Sequence, residues 1–187
     1  MPNYLVSALC YVPKGITTNA PAEIFLCGHS SDGKAYRQYQ KVCRDLVANG
    51  FVVLAVDPIG QGERLQYLKD GEDTQGSCTV EHTHAGFQFL LQGASVARHF
   101  IWDAIRAFDY LCERPEVDND RIGVTGNSGG GTQTSLLMLS EPRLAAVVPG
   151  TFVTSLEEMM LAGFPQDMEQ IVYKAFERGP DHDDFLT

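Results

Sequence analysis

The run Arg121-Ile122-Gly123-Val124-Thr125-Gly126-Asn127-Ser128-Gly129-Gly130-Gly131-Thr132 holds the residues best suited to do chemistry. Gly126 to Gly130 spell G-x-S-x-G, with β-branched Ile122 and Val124 ahead and a helix-compatible stretch, Thr132 to Leu139, behind. A serine hydroxyl is a poor nucleophile unless it is held exposed beside a base and beside donors for a developing oxyanion. A sharp strand-to-helix turn supplies the exposure, and flanking glycines let the backbone through without Cβ clashes. The helix that follows points unpaired N–H groups at the same place and favours negative charge there. The spacing therefore predicts Ser128 as the nucleophile of an acyl transfer. The bland alternative is a glycine-rich turn with an incidental serine; the strand before and the helix after argue against it.

The other residues able to do chemistry read more plainly. Glu81-His82-Thr83-His84 offers H-x-H, but two ligands without a third nearby make a poor zinc site, so no metal is expected and the segment reads as cleft lining. Asp103 and Arg106, three apart on a predicted helix, are expected to pair locally. His99 in the same helix reads as packed or surface. The five cysteines (Cys10, Cys27, Cys43, Cys78, Cys112) are odd in number, scattered and without C-x-x-C, which predicts buried reduced thiols.

Positioning these groups takes a framework of strands and helices. Tyr4 to Val12 predicts a strand that stops at Pro13-Lys14-Gly15, and Glu23 to Cys27 a short buried one opening into Gly28-His29-Ser30-Ser31-Asp32-Gly33. Tyr36, Tyr39, Val42, Cys43, Leu46 and Val47 recur at helical spacing before an Asn49-Gly50 stop. Phe51 to Val56 is continuously apolar, as a parallel strand covered on both faces should be, and Asp57 to Arg64 is a loop by its Pro and Gly content. From Leu65 to Gly93 the pattern weakens, and Lys69 to Ser77 is polar enough for a mobile excursion. Val96, Phe100, Ile101, Ala104, Ile105, Phe108 and Leu111 form one stripe of a helix over Ser95 to Leu111, with Pro115 just past it. A last strand is predicted at Leu144 to Pro149, and two short helices between Glu157 and Phe185, around Gly163 and Pro165, over the sheet's carboxyl edge. Strands alternating with helices mean a parallel sheet with helices on both faces.

At 187 residues and 44% hydrophobic, the chain suits one globular domain with a core. A net charge of -10 argues against nucleic acid, since neutralising phosphates takes an excess of Lys and Arg. No run of about 18 apolar residues is present to span a membrane. Met1-Pro2-Asn3-Tyr4 does not open a secretory signal, so the cytoplasm is the default expectation.

Taken in order, several motifs resemble the α/β-hydrolase superfamily, and more narrowly the acetyl xylan esterase and dienelactone-hydrolase-like esterases. They are Gly28-His29-Ser30 through Lys34-Ala35-Tyr36, Asp57 through Arg64, Trp102-Asp103-Ala104-Ile105-Arg106, and Arg114-Pro115-Glu116-Val117-Asp118 leading into the Ser128 motif. They are collinear over Tyr4 to Val153. Relatives closer to dienelactone hydrolase carry cysteine where this chain has Ser128, which weakens that activity. The resemblance implies oxyanion donors on the backbone N–H of Gly129 and of His29, and gives the His29 side chain no task. Asp57 and Arg64 resemble the family's loop-ordering residues and are expected in structural salt bridges.

In this superfamily the acid and then the histidine follow the nucleophile, each on a loop after a later strand. Only the Leu144 to Pro149 strand is predicted after Ser128, so both are expected beyond Thr187. Asp167 and His182 obey the order but are set aside, because neither follows a strand and His182 lies in the polar tail Pro180-Asp181-His182-Asp183-Asp184. Glu157 or Glu158, just after that strand, is the better in-chain candidate for the acid. The expectation is a single, incomplete α/β-hydrolase domain, truncated before its last strands and lacking residues ahead of its start. Its core would run over 4–153 and a helical, lid-like segment over 154–187. The activity implied is that of a serine carboxylic-ester hydrolase acting without cofactor on an acetylated carbohydrate or similar small ester. A non-catalytic module and a peptidase of the same fold are the alternatives.

Overall fold

The computed structural model describes residues 4–73, 76, 78–163, 166–179 and 181–186. Met1 to Asn3, Ser77, Pro165, Pro180 and Thr187, which figure in the sequence reading, lie outside the described residues.

Five strands make one sheet: β1 (Ala8–Tyr11), β2 (Ala20–Leu26), β3 (Val52–Val56), β6 (Val117–Asn127) and β7 (Ala146–Gly150). Between β3 and β6 the chain adds a two-stranded hairpin, β4 (Leu68–Lys69) and β5 (Glu72–Asp73). The sheet order is β1-β3-β2-β6-β7, parallel throughout except that β1 runs antiparallel to β3. All five residues of β3 are buried, as its unbroken apolar run predicts. Alternation along β2 and β3 assigns the two faces. Ile24, Leu26, Leu54 and Val56 meet Phe108 and Leu111 on one side, while Phe25, Val53 and Ala55 meet Tyr39 and Cys43 on the other.

The helices that supply those faces are α1 (Arg37–Ala48) and α3 (Ala97–Cys112). α1 ends before Gly50, whose φ of +90° is the left-handed stop that Asn49-Gly50 predicts. A thirteen-residue helix, α2 (Thr79–Leu91), occupies part of the stretch where the sequence pattern weakens. It was missed because its polarity is inverted: Glu81 and His82 are buried, while Phe87 and Leu91 face solvent. α4 (Gly129–Ser140) follows β6, and the rest forms α5 (Leu156–Leu161), a 3₁₀ turn at Met168–Gln170, α6 (Ala175–Arg178) and a final 3₁₀ turn at Asp183–Leu186. The Met168–Gln170 turn packs on α2, α3 and α4.

β7 is an edge strand of this sheet, with Val148 61% exposed. All five cysteines are free, but only Cys27 and Cys43 are buried; Cys10, Cys78 and Cys112 are partly exposed, which corrects the expectation of five buried thiols. No helix among the described residues is long and apolar enough to cross a membrane.

Candidate active site

β6 delivers Ser128 at its carboxyl end, and α4 begins at the next residue. Ser128 holds φ 58° and ψ -120°, a backbone state that costs a side-chain-bearing residue about 1–3 kcal/mol and persists only where the surroundings enforce it. The enforcement is visible. The Ser128 N–H donates to the Gly150 carbonyl and to Thr151 Oγ1, both at 3.0 Å, and Thr151 Oγ1 donates to Asn127 Oδ1 at 2.8 Å. The two motif glycines are sterically required, because a Cβ at Gly126 would strike the Gly130 backbone and one at Gly130 the Leu26 carbonyl. The first turn of α4 leaves the Gly129 N–H without an intrahelical partner, on the nucleophile's side of the helix.

The loop carrying His29 is tied down by a residue the sequence reading did not single out. Gln61, fully buried, donates from Nε2 to the Gly28 and Ser30 carbonyls at 2.7 Å each, clamping the backbone on both sides of His29. Asp57 and Arg64 both form buried ion pairs, but not with each other. Asp57 accepts from Lys34 Nζ at 2.5 Å, from the Lys34 N–H at 2.6 Å and from Ser7 Oγ at 2.7 Å. Arg64 pairs with Asp103 at 2.7 Å and donates to the Asp57 carbonyl. That corrects the expected Asp103–Arg106 pair. Asp103 faces inward to Arg64, whereas Arg106 pairs with Asp109 and stacks on Trp102.

The His29 side chain, given no task by the sequence, is the centre of the site. Its Nδ1 lies 3.3 Å from Ser128 Oγ, and its Nε2 lies 2.6 Å from Glu169 Oε1 and 3.0 Å from Asp167 Oδ2. Asp167 Oδ2 also accepts from His82 Nδ1 at 2.6 Å, while His82 Nε2–H donates to the Ile59 carbonyl at 2.7 Å. Burial works against charge on His29, but its bonds to Asp167 and Glu169 outweigh it and raise its pKa to about 10. The His82 imidazole is raised for the same reason, against its burial. Burial would lift the Asp167 carboxyl, yet the two imidazoles hold it at about 2. The two carboxylates thus favour the protonated form of His29, in which it would donate toward Ser128.

Local contacts explain how Asp167 and Glu169 arrive there. Met168 between them packs with Ile59, Val96 and Phe100, and sits so close to Gly86 of α2 that a Cβ there would collide with it. Gln170 accepts from the Asp167 N–H at 3.0 Å and donates to Thr132 Oγ1 of α4 at 2.9 Å. Asp167, set aside in the sequence reading because no strand precedes it, is thus held in the site by a 3₁₀ turn. Glu157 and Glu158, the in-chain acid candidates, are exposed on the first turn of α5, where their charge suits the helix terminus. His182 is buried, stacked between Phe152 and Phe185, and lines an apolar cavity of about 320 Å³ with Leu136 and Leu139. His84 stacks on Tyr67 and His99 on Phe89. Of the H-x-H pair only His82 reaches the cluster, and His29, His82, Asp167 and Glu169 are the described residues placed to hold a metal ion.

Comparison with known proteins agrees with this architecture. Residues 94–178 match the Prolyl oligopeptidase family. The chain is 29% identical over 129 residues, 64% of its length, to a candidate hydrolase, YtaP, of Bacillus subtilis (strain 168). Among solved structures, a candidate acetyl xylan esterase from Bacteroides fragilis NCTC 9343 superposes over 100% of this chain with a TM-score of 0.81 at 16% identity. Acetyl Xylan Esterase 1 from Thermoanaerobacterium sp. JW/SL YS485 superposes over 74% of it, with a TM-score of 0.51 and 27% identity. The chain spans 39% of YtaP, 54% of the first structure and 41% of the second. It has the α/β-hydrolase fold, and its structural neighbours are acetyl xylan esterases and other α/β hydrolases.

Proposed function

We propose that the protein this chain represents is a serine carboxylic-ester hydrolase that removes acetyl or similar small acyl groups, with carbohydrate esters as the substrate class. One observation carries the reading: Ser128 sits at a positive-φ elbow between β6 and α4, fixed by hydrogen bonds and by two glycines that admit no Cβ. In this reading Ser128 Oγ attacks the ester carbonyl and forms an acyl-enzyme, which water then hydrolyses. The N–H groups of Gly129 and His29 receive the oxyanion, and each such donor is worth a few kcal/mol in a dry site. The Met168–Gln170 turn, packed on α2, α3 and α4, brings Glu169 beside the His29 ring. The esterase neighbours support the ester substrate.

The carboxylates beside His29 favour its protonated form, which works against its accepting the Ser128 proton. His182, which alone among the five histidines follows Ser128 in sequence, sits in the Phe152–Phe185 stack. The 187-residue chain alone should therefore show only oxyanion-hole catalysis, about 10³–10⁴-fold over water. The whole protein should hydrolyse p-nitrophenyl acetate and lose that activity in Ser128→Ala; turnover retained in the variant would sink the proposal. The match to the Prolyl oligopeptidase family favours amide substrates as the second reading. A p-nitroanilide cleaved faster than the matching ester would decide for it. The 3.3 Å contact from His29 to Ser128 favours a third arrangement, with a base inside this chain. Fast, stoichiometric fluorophosphonate labelling at pH 7, lost in His29→Ala, would establish that one.

A further inference from the structure

Carboxylates buried side by side need positive charge between them. Around Asp167 and Glu169, whose side chains are 4% and 1% exposed, the structure places two imidazole nitrogens, His29 Nε2 and His82 Nδ1. The donor separations are 2.6 Å (His29–Glu169), 3.0 Å (His29–Asp167), 2.6 Å (His82–Asp167) and 3.7 Å (His82 to Glu169 Oε2). One ligand atom from each residue lies within 4.8 Å of all the others. Ligands about 2.1 Å from a tetrahedral zinc ion stand about 3.4 Å apart; three of these separations are shorter hydrogen-bond distances, so the side chains would spread by under about 1 Å to admit an ion.

Two further features point to a ligand. His82 donates Nε2–H to the Ile59 carbonyl, which leaves Nδ1 facing the cluster; metal-bound histidines are oriented in this way by their outer hydrogen bond. Glu169 Oε2 is buried without a hydrogen-bond partner among the described residues, on the side facing His82. We propose that His29, His82, Asp167 and Glu169 bind one divalent transition-metal ion, with zinc the best fit. Two imidazoles and two carboxylates suit zinc, whereas magnesium and calcium take mainly oxygen ligands in larger number. Such an ion would replace the protons that His29 Nε2 and His82 Nδ1 share with the carboxylates, releasing them to solvent, and would join the loop after β2, helix α2 and the Met168–Gln170 turn. It would meet Ser128 only through the His29 ring. The inference does not rest on the esterase reading.

The test is calorimetric titration of the metal-stripped chain with zinc chloride, beside magnesium chloride, with metal content measured after dialysis. One zinc per chain is expected, with no uptake of magnesium. Ser128→Ala should bind equally well, so the failure of either proposal is separable from failure of the other. Glu169→Gln and His82→Gln, checked for folding by circular dichroism, should weaken binding at least about 100-fold. No stoichiometric zinc, or undiminished affinity in a folded Glu169→Gln, would overturn the proposal. Should both variants unfold, the native chain decides through carbethoxylation of His29. Protection by one equivalent of zinc supports the site, and unchanged modification refutes it.

Discussion

Helices α2 and α3 follow one another in the chain and are built on opposite plans. α3 turns Ile101, Ala104, Phe108 and Leu111 to the sheet, so sequence periodicity and burial coincide. α2 buries Glu81 and His82 and leaves Leu91 89% exposed. Its inward face is polar because it borders the site: Glu81 accepts the Gln66 N–H at 2.9 Å, and His82 bridges Ile59 and Asp167. One helix is held by the apolar area it removes from water; the other adds to the packing of Ala85, Phe89 and Leu90 a set of completed hydrogen bonds, whose loss costs more than their formation contributes.

Substitutions can break that contrast. The largest effect belongs to α3. Phe108→Ala should destabilise the chain by about 3–5 kcal/mol, read as a lower urea midpoint, because the ring is 1% exposed within the main core. A loss below about 1 kcal/mol would mean α3 is not the packing anchor. In α2 the sign of polarity reverses. His82→Leu, an apolar replacement at a buried helical position, should cost about 1–3 kcal/mol, because it orphans the Ile59 carbonyl and leaves Asp167 only its contact with His29. A variant as stable as the parent would show that α2 tolerates an ordinary apolar face.

Glu23 sharpens the comparison, being a buried carboxyl without the partners α2 provides. It lies in β2 against Gly123, and burial raises its pKa to about 7 from 4.5. The folded pKa lies above the unfolded one, so the fold loses stability as pH rises from about 4.5 to 7 and the carboxylate forms. Glu23→Gln should accordingly stabilise the chain at pH 8 by up to about 3 kcal/mol, with little effect at pH 4. Equal effects at both pH values would refute this. The smallest effect should come from the outer face of α2, where Leu91→Gln should move stability by no more than about 0.5 kcal/mol in thermal denaturation.

The same contrast explains what the sequence made legible. α1, α3, β3 and the Ser128 elbow announce themselves because local spacing alone determines their exposure. α2 does not, since Val80, Phe87 and Leu91 point outward while Glu81 and His82 are buried. Glu169 reaches His29 across 140 positions and Asp167 reaches His82 across 85, and neither lies in a motif that names its partner. Asp167 passed for a loop acid because the superfamily order ties the acid to a strand. The close backbone contacts of Gly126 and Gly130 were legible in the motif; the Gln61 clamp, a single amide in a glycine-rich loop, was not.

The left-handed backbone of Ser128 has an evolutionary consequence. Glycine tolerates that conformation without penalty. Ser128→Gly should relieve about 1–3 kcal/mol of local strain while deleting the hydroxyl. Selection for folding alone would thus erode this position in a lineage with no use for its nucleophile.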